Sequence, residues 1–206
     1  MTTSTPGSPG LDPRAERTRK AMVDALSRLL ATTALDEISV TALCREAGVH
    51  RTTFYGHNES VQDFAIEQYG YEFDTISIVD VDPSEGDPQQ VAARYEESLH
   101  ALLEHVASER TGYRGLLTSR SRWLFHSVLD VRIRHRALLA VQVWAERGVP
   151  GAPSDPGAQE EAAAYIAGGL VGAMETWALG DDDDIAAATA RFTALLPSWW
   201  PHPTDD

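Results

Sequence analysis

Two short helical patterns separated by only three residues constrain this chain more than any other feature. Apolar residues recur at helical spacing from Val40 to Ala47, and Ser39 stands before them as an N-cap whose hydroxyl can accept from free backbone N–H groups. Gly48 follows where a helix must turn into positive φ, which glycine does without a Cβ penalty. The next helix begins near Arg51, so the linker is too short for anything but a sharp turn. This spacing predicts a helix-turn-helix.

The second helix of this pair carries a run of hydrogen-bonding side chains. Phe54 is its apolar anchor, whereas Arg51, Thr52, Thr53 and Tyr55 are all polar. The guanidinium of arginine matches the O6 and N7 acceptors of guanine, and a threonine can contact a thymine methyl group or a phosphate. The sequence therefore predicts a recognition helix for the major groove of duplex DNA.

Residues 47 to 57, AGVHRTTFYGH, resemble the signature of the TetR (tetracycline-repressor) family of bacterial transcriptional regulators. The matching positions are Ala47, Gly48, Val49, Thr53, Phe54, Tyr55 and His57. The resemblance implies phosphate contacts from Tyr55 and His57, and a further one from Thr41 in the preceding helix. For His57, a packing role beneath the helix is an equal alternative.

The chain departs from the family pattern just after this motif. Asn58 replaces the usual phenylalanine, Val61 stands where a lysine usually opens the next helix and holds a phosphate, and Glu59 adds a negative charge. These changes predict weaker nonspecific DNA binding or greater dependence on the arginine-rich first helix. They also leave open an alternative, a helical dimerising interaction protein with a degenerate, weakly binding DNA head.

Charge is divided unevenly along the chain. The net charge is −14, yet residues 1 to 58 carry a net charge of +1 and the remaining 148 residues a net charge of −15. A DNA-reading head on an acidic body would explain this division, because an acidic body suppresses unproductive contact with phosphate. Solubility alone would explain the acidity as well.

The expected fold is all-α, an amino-terminal three-helix helix-turn-helix domain followed by a helical ligand-binding and dimerisation domain. We expect a disordered tail over residues 1–11, a DNA-binding domain over 12–58 and the helical body over 59–206. Helices are predicted at about 12–33, 39–47, 51–56, 61–78, 88–108, 113–119, 122–146, 159–179 and 183–196. In the helix after the motif, Phe64, Tyr71 and Ile78 keep a helical apolar repeat.

Several classes of protein find no support in the sequence. A single cysteine, Cys44, excludes an internal disulfide, and we expect it to be a small buried hydrophobic residue. With no signal-peptide stretch and no apolar run of about 20 residues, the sequence predicts a cytoplasmic protein without a membrane partner. It contains no glycine-rich phosphate loop and no nucleophile elbow. His100 and His105 are five residues apart and so do not share one helical face, which argues against a metal pair. We therefore predict neither an enzyme nor a cofactor or metal site.

A line of small residues marks the helix near residue 170. Ala164, Gly168 and Gly172 recur at spacing four, and each glycine costs about 1 kcal/mol of helix propensity relative to alanine. Close approach of another helix would compensate. That helix could belong to the same chain or to a second copy, and we favour a homodimer. In the resembling family the final two helices pair with their copies. Such a dimer would present two heads to a palindromic or near-palindromic operator, with half-sites about one helical turn, or a multiple of it, apart.

The resemblance also implies a small-molecule effector in the body. Aromatic or polar residues on otherwise apolar helices are the candidates for its pocket, with core packing as the alternative for each: Tyr95, Trp123, His126, Trp144, Tyr165 and Trp177. The overall prediction is a ligand-responsive, sequence-specific transcriptional regulator, a repressor that binds its double-stranded operator as a homodimer and is released by the effector.

Overall fold

The computed structural model describes residues 13–76 and 87–202, and all regular structure in these ranges is helical. The predicted disordered tail and most of the acidic, proline-containing break at 80–88 lie outside the described residues. The α-helices are α1 (Pro13–Leu30), α2 (Val40–Ala47), α3 (Arg51–Tyr55), α4 (Val61–Ile76), α5 (Pro88–Ser108), α6 (Arg110–Thr118), α7 (Arg122–Glu146), α8 (Pro156–Leu179) and α9 (Ile185–Ala194). A short 3-10 helix, Leu35–Glu37, precedes α2. The all-α prediction is confirmed, and no helix within the described ranges is long and apolar enough to cross a bilayer.

Side-chain caps explain where several of these helices begin. Asp87 accepts from the backbone N–H of Gln90 at 2.9 Å, and the Gln90 side chain accepts in return from the Asp87 N–H at 3.1 Å, so α5 starts with a complete capping box. Asp155 caps α8 by accepting from the Ala158 N–H at 3.0 Å. Asp184 caps α9 in the same way, by accepting from the Ala187 N–H at 2.9 Å.

The described chain divides into two compact units, with the division between Phe64 and Ala65 inside α4. In the first unit α1 packs against α2, and α2 against α3. The side chains at the centre of this unit are fully or almost fully buried: Met22, Leu26, Leu35, Leu43 and Phe54.

The second unit is built around α7 and α8, which pack against each other, with α6 against both. The last helix, α9, lies on α5. The helix with the line of small residues therefore has α7 as its main partner in the chain, and not the final helix. In α4 the buried line runs through Ala65, Tyr69 and Phe73, while Tyr71 is 48% exposed. The predicted inward position of Tyr71 is wrong.

Two arginines of α6 hold the carboxyl end of α8. Arg110 donates to the carbonyl of Gly180 at 2.7 Å, and Arg114 donates to that of Ala178 at 3.0 Å. The Arg110 guanidinium also lies 4.7 Å from the ring centre of Trp177. Helix ends leave carbonyl groups without intrahelical partners. Here α6 supplies the partners, which fixes the end of α8.

Candidate nucleic-acid interface and ligand cavity

The turn between α2 and α3 has the geometry that its sequence predicts. The Ser39 hydroxyl accepts from the N–H of Ala42 at 3.1 Å and caps α2. Gly48 ends the helix with φ 67° and ψ 27°, the left-handed conformation that L side chains rarely adopt. The Val49 N–H then donates to the Cys44 carbonyl at 2.9 Å, which closes the turn. Backbone geometry and backbone hydrogen bonds thus hold the short linker between α2 and α3.

One aromatic side chain anchors α3 on the first unit. Phe54 is fully buried, with its ring centre 6.1 Å from that of Phe64 in an edge-on contact. Cys44 of α2 is buried too, which confirms its expected role as a small hydrophobic residue. Burial raises the pKa of the Cys44 thiol, because desolvation disfavours the thiolate, although the nearby Arg51 acts in the opposite direction.

The polar side chains of α3 lie on the outside of the unit. All six predicted DNA-contact residues are exposed: Thr41, Arg51, Thr52, Thr53, Tyr55 and His57. The Arg51 guanidinium lies 5.7 Å from the ring centre of Tyr55, one turn further along. This cation–π contact holds the two side chains on the same side of the helix. A single helix therefore combines a buried ring with an exposed row of donors.

The departures from the family signature have structural roles here. Asn58 is buried, and both its side-chain amide and its backbone N–H donate to the Phe54 carbonyl, at 3.4 and 2.9 Å. Val61 is only 2% exposed and belongs to the core, whereas Glu59 is exposed. Of the three departures, Glu59 adds a negative charge to the surface and Val61 leaves out the positive charge of the lysine, whereas Asn58 changes no charge.

An ion pair that the sequence did not reveal joins α1 to α2. Arg28 contacts Glu46 at 2.7 Å, with both side chains partly exposed. Arg45 of α2 is exposed and has no ion pair within the described ranges. Its guanidinium is therefore on the surface of the helix-turn-helix.

The second unit contains a cavity of about 360 Å³, partly open to solvent, among α5, α7, α8 and α9. Most of its wall is apolar, with Leu99, Leu102 and Leu103 from α5, and Ile166, Leu170 and Met174 from α8. Its polar wall residues are Tyr95, Glu96, Ser98, His135, Arg136 and Thr193. An apolar space with few polar groups is the usual form of a small-molecule site.

Of the six predicted ligand-binding residues, the structure brings only Tyr95 to this cavity. Trp144 is fully buried behind it, with its ring centre 5.8 Å from that of Tyr95, and Trp177 is buried beneath Arg110. Trp123 and Tyr165 are 73% and 70% exposed. His126 contacts the buried carboxylate of Glu175 at 2.8 Å.

The line of small residues on α8 is directed away from the rest of the protomer. A Cβ atom built on Gly168 or Gly172 would meet no atom within 4 Å, and Ala164 is half-buried. Helices α7 and α8 also expose large apolar side chains that the sequence did not assign to an interface: Trp123, Leu124, Val131 and Tyr165. The open space shows that no helix in the described part of the chain approaches the two glycines closely.

A helix-turn-helix unit is followed along the chain by a helical unit that contains an apolar cavity. These two features define the class of fold. The chain has the all-α fold of TetR-type transcriptional regulators.

Solved structures share this fold at low sequence identity. A TetR-like transcriptional regulator from Rhodococcus is 23% identical, with a TM-score of 0.56, 90% of this chain covered and 96% of that chain. The dihydroxyacetone kinase operon activator DhaS is 14% identical, with a TM-score of 0.62 and coverage of 86% and 93%. The SmeT–triclosan complex is 12% identical, with a TM-score of 0.56 and coverage of 92% and 99%. No family model and no curated protein matches the sequence. The likeness therefore lies in the fold.

Proposed function

We propose that this chain is a ligand-responsive, sequence-specific DNA-binding regulator, a repressor that binds a palindromic operator in the cytoplasm as a homodimer and leaves it when a small molecule binds. The observation that carries the proposal is the division of α3 into a buried Phe54 and an exposed row of polar side chains. Burial of Phe54 fixes the helix on its unit, so its donors can meet base edges without reordering the backbone.

Each exposed side chain of the motif has a distinct part in the proposed complex. Arg51 reads guanine through its paired donors, a contact worth about 1 to 3 kcal/mol of discrimination. Thr52 and Thr53 contact a thymine methyl group or a phosphate. Tyr55 and His57 bind phosphates, and Thr41 binds another from the start of α2. The reading unit is residues 12–58, and the body is residues 59–206.

The proposed dimer uses the outward line of α8. Gly168 and Gly172 leave room for a second helix, and the exposed Trp123, Leu124 and Tyr165 supply apolar area on the same helix pair. A two-fold axis through this surface would present two copies of α3, as a palindromic site requires. One copy alone contacts too few base pairs for specific affinity.

The proposed effector site is the cavity of the second unit. Tyr95 is the predicted pocket residue that lines it, together with side chains of α7, α8 and α9. An effector there would alter DNA affinity only if it prefers one arrangement of the two reading heads. The SmeT–triclosan complex, which contains a small molecule on the same fold, supports this part of the proposal.

Selection of bound sequences from random duplex DNA, with the purified full chain, tests the proposal. We expect enrichment of a palindrome, and Arg51→Ala should relax the choice at one symmetric pair of bases. Arg134→Ala is the matched control, because it removes the same charge from an exposed position on α7. No enriched motif would overturn the proposal, and an unchanged motif with Arg51→Ala would remove the direct contact assigned to Arg51.

A second candidate is a dimerising interaction protein whose head has lost its affinity for DNA. The exposed Glu59 and the buried Val61 favour it, since they put an acid and no cation at the start of α4. A salt series separates the two candidates. Each phosphate contact should add about 0.9 to the slope of log affinity against log salt, so the regulator requires a steep slope and the interaction protein a shallow one.

A further inference from the structure

One arginine of α7 lies in the wall of the apolar cavity. Arg136 is half-buried and lines the cavity together with the neighbouring Tyr95. The apolar part of the wall is formed by leucines and Met174. A guanidinium is rarely placed in such a wall without an anionic partner, because desolvation of the charge is costly.

Asp74 is the acid with the largest electrostatic effect on Arg136, and it already forms an ion pair with another arginine. Asp74 contacts Arg132 at 2.8 Å, and no ion pair or hydrogen bond joins Arg136 to another residue within the described ranges. Burial lowers the pKa of the Arg136 guanidinium, with Asp74 and Tyr95 acting in the opposite direction. The group keeps its charge at neutral pH, because an arginine side chain does not lose its proton in proteins.

A further polar group in the wall has no partner. The Thr193 hydroxyl is buried and makes no hydrogen bond to any described residue, although it belongs to the lining of the cavity. A ligand with oxygen acceptors would give both Thr193 and Arg136 the partners that the protein leaves out.

We propose that the cavity binds an apolar monocarboxylic acid, with the carboxylate on the Arg136 guanidinium and the hydrocarbon part against the leucines and Met174. This inference deepens the proposed function, since it rests on the same cavity being the effector site. A guanidinium presents two parallel donors to a carboxylate, which gives the head a fixed orientation. A volume of about 360 Å³ is at the lower end of small-molecule sites, which favours a medium-length chain.

The other ionisable lining residues define the competing possibility. Glu96 also lies in the wall, and His135 is exposed at the same wall. If Glu96 selected the ligand, an apolar amine would be preferred over the acid. The preference of the cavity for an acid or an amine therefore shows whether Arg136 or Glu96 binds the head group of the ligand.

Calorimetric titration of the full chain, without DNA, tests the assignment with three ligands of equal chain length: decanoate, decanol and decylamine, each below its micelle concentration. We expect decanoate to bind at one site per protomer and at least tenfold more tightly than decanol. From hexanoate to decanoate, the affinity should rise about fourfold per methylene until the cavity is full.

Two variants locate the head group. Arg136→Gln should weaken decanoate binding about tenfold or more and leave decanol unchanged, whereas Arg134→Gln, two residues away and paired with Asp130, should change neither. Equal binding of all three ligands, no saturable binding, or preference for decylamine that is lost with Glu96→Gln would each overturn the inference. DNA binding is measured separately, so operator recognition without decanoate binding refutes only this inference, and decanoate binding without operator recognition refutes only the proposed regulator.

Discussion

Substitution of the outward glycines of α8 should have opposite effects on the protomer and on the dimer. A Cβ on Gly168 or Gly172 meets nothing within 4 Å, so alanine fits the protomer without strain. Each replacement should add about 1 kcal/mol of helix propensity. The double variant should therefore stabilise an isolated protomer by about 2 kcal/mol, which corresponds to about 4–8 °C in Tm for a chain of this size.

The same substitutions should weaken the association of the proposed dimer. If a second copy of α8 approaches the glycines closely, added side chains must push it away. Alanine and leucine have similar helix propensities, so Gly168→Ala and Gly168→Leu form a matched pair in which only side-chain size differs. We expect the dissociation constant of the dimer to rise modestly with alanine and at least tenfold with leucine, a loss of about 1.4 kcal/mol or more.

Sedimentation equilibrium over a range of concentrations measures the dimer, and thermal unfolding at the lowest concentration measures the protomer. An unchanged dimer in Gly168→Leu would show that the line of small residues is not the interface. A lower protomer Tm in Gly168→Ala would show that the glycine faces a neighbouring part of the chain.

Three further substitutions test the packing of the two units by urea denaturation. Gly112→Ala would place a Cβ 1.6 Å from the hydroxyl oxygen of Tyr69, whose ring is buried, so we expect a loss of about 1–3 kcal/mol that Tyr69→Leu partly restores. Ser39→Ala removes the cap of α2 and should cost the helix-turn-helix unit about 1 kcal/mol, with Ser39→Asp as the variant that keeps the stability. Arg114→Ala should lower the stability of the second unit by about 1–3 kcal/mol, because the Ala178 carbonyl loses a charged donor. An unchanged urea midpoint in Gly112→Ala, Ser39→Ala or Arg114→Ala would contradict the expectation for that variant.

Local signals made several elements of the fold predictable. The ends of α5 and α7 lie at the residues expected from the sequence, and α5 begins with a proline after the cap Asp87. Gly48 and Ser39 defined α2 in the same way. The predicted start of α8 at residue 159 did not use the cap signal of Asp155. The helix begins at Pro156, directly after that cap and three residues before the predicted start.

The exposed row of α3 was predictable because a helix this short has one apolar anchor and the rest of its side chains must face outward. The cavity was not predictable, since empty space depends on packing between distant segments. Tyr95 and Trp144 are both aromatic residues on apolar helices, and yet one lines the cavity and the other fills the core beside it.

The arginines of α7 show the same limit. The sequence places four of them on one helix, Arg122, Arg132, Arg134 and Arg136. In the structure the first three contact Glu175, Asp74 and Asp130, respectively. Only the tertiary arrangement distinguishes Arg136, because its position in the cavity wall depends on how α5 and α8 pack around it.

The buried Val61 has a consequence for engineering this protein. A designer who wished to strengthen the proposed DNA binding would be inclined to introduce the lysine of the TetR pattern at this position. Since Val61 is 2% exposed, the new ammonium group would begin in an apolar environment and would have to displace the start of α4 to reach water. Gains in affinity are better sought at Glu59, where a reversal of charge alters the surface and leaves the interior intact.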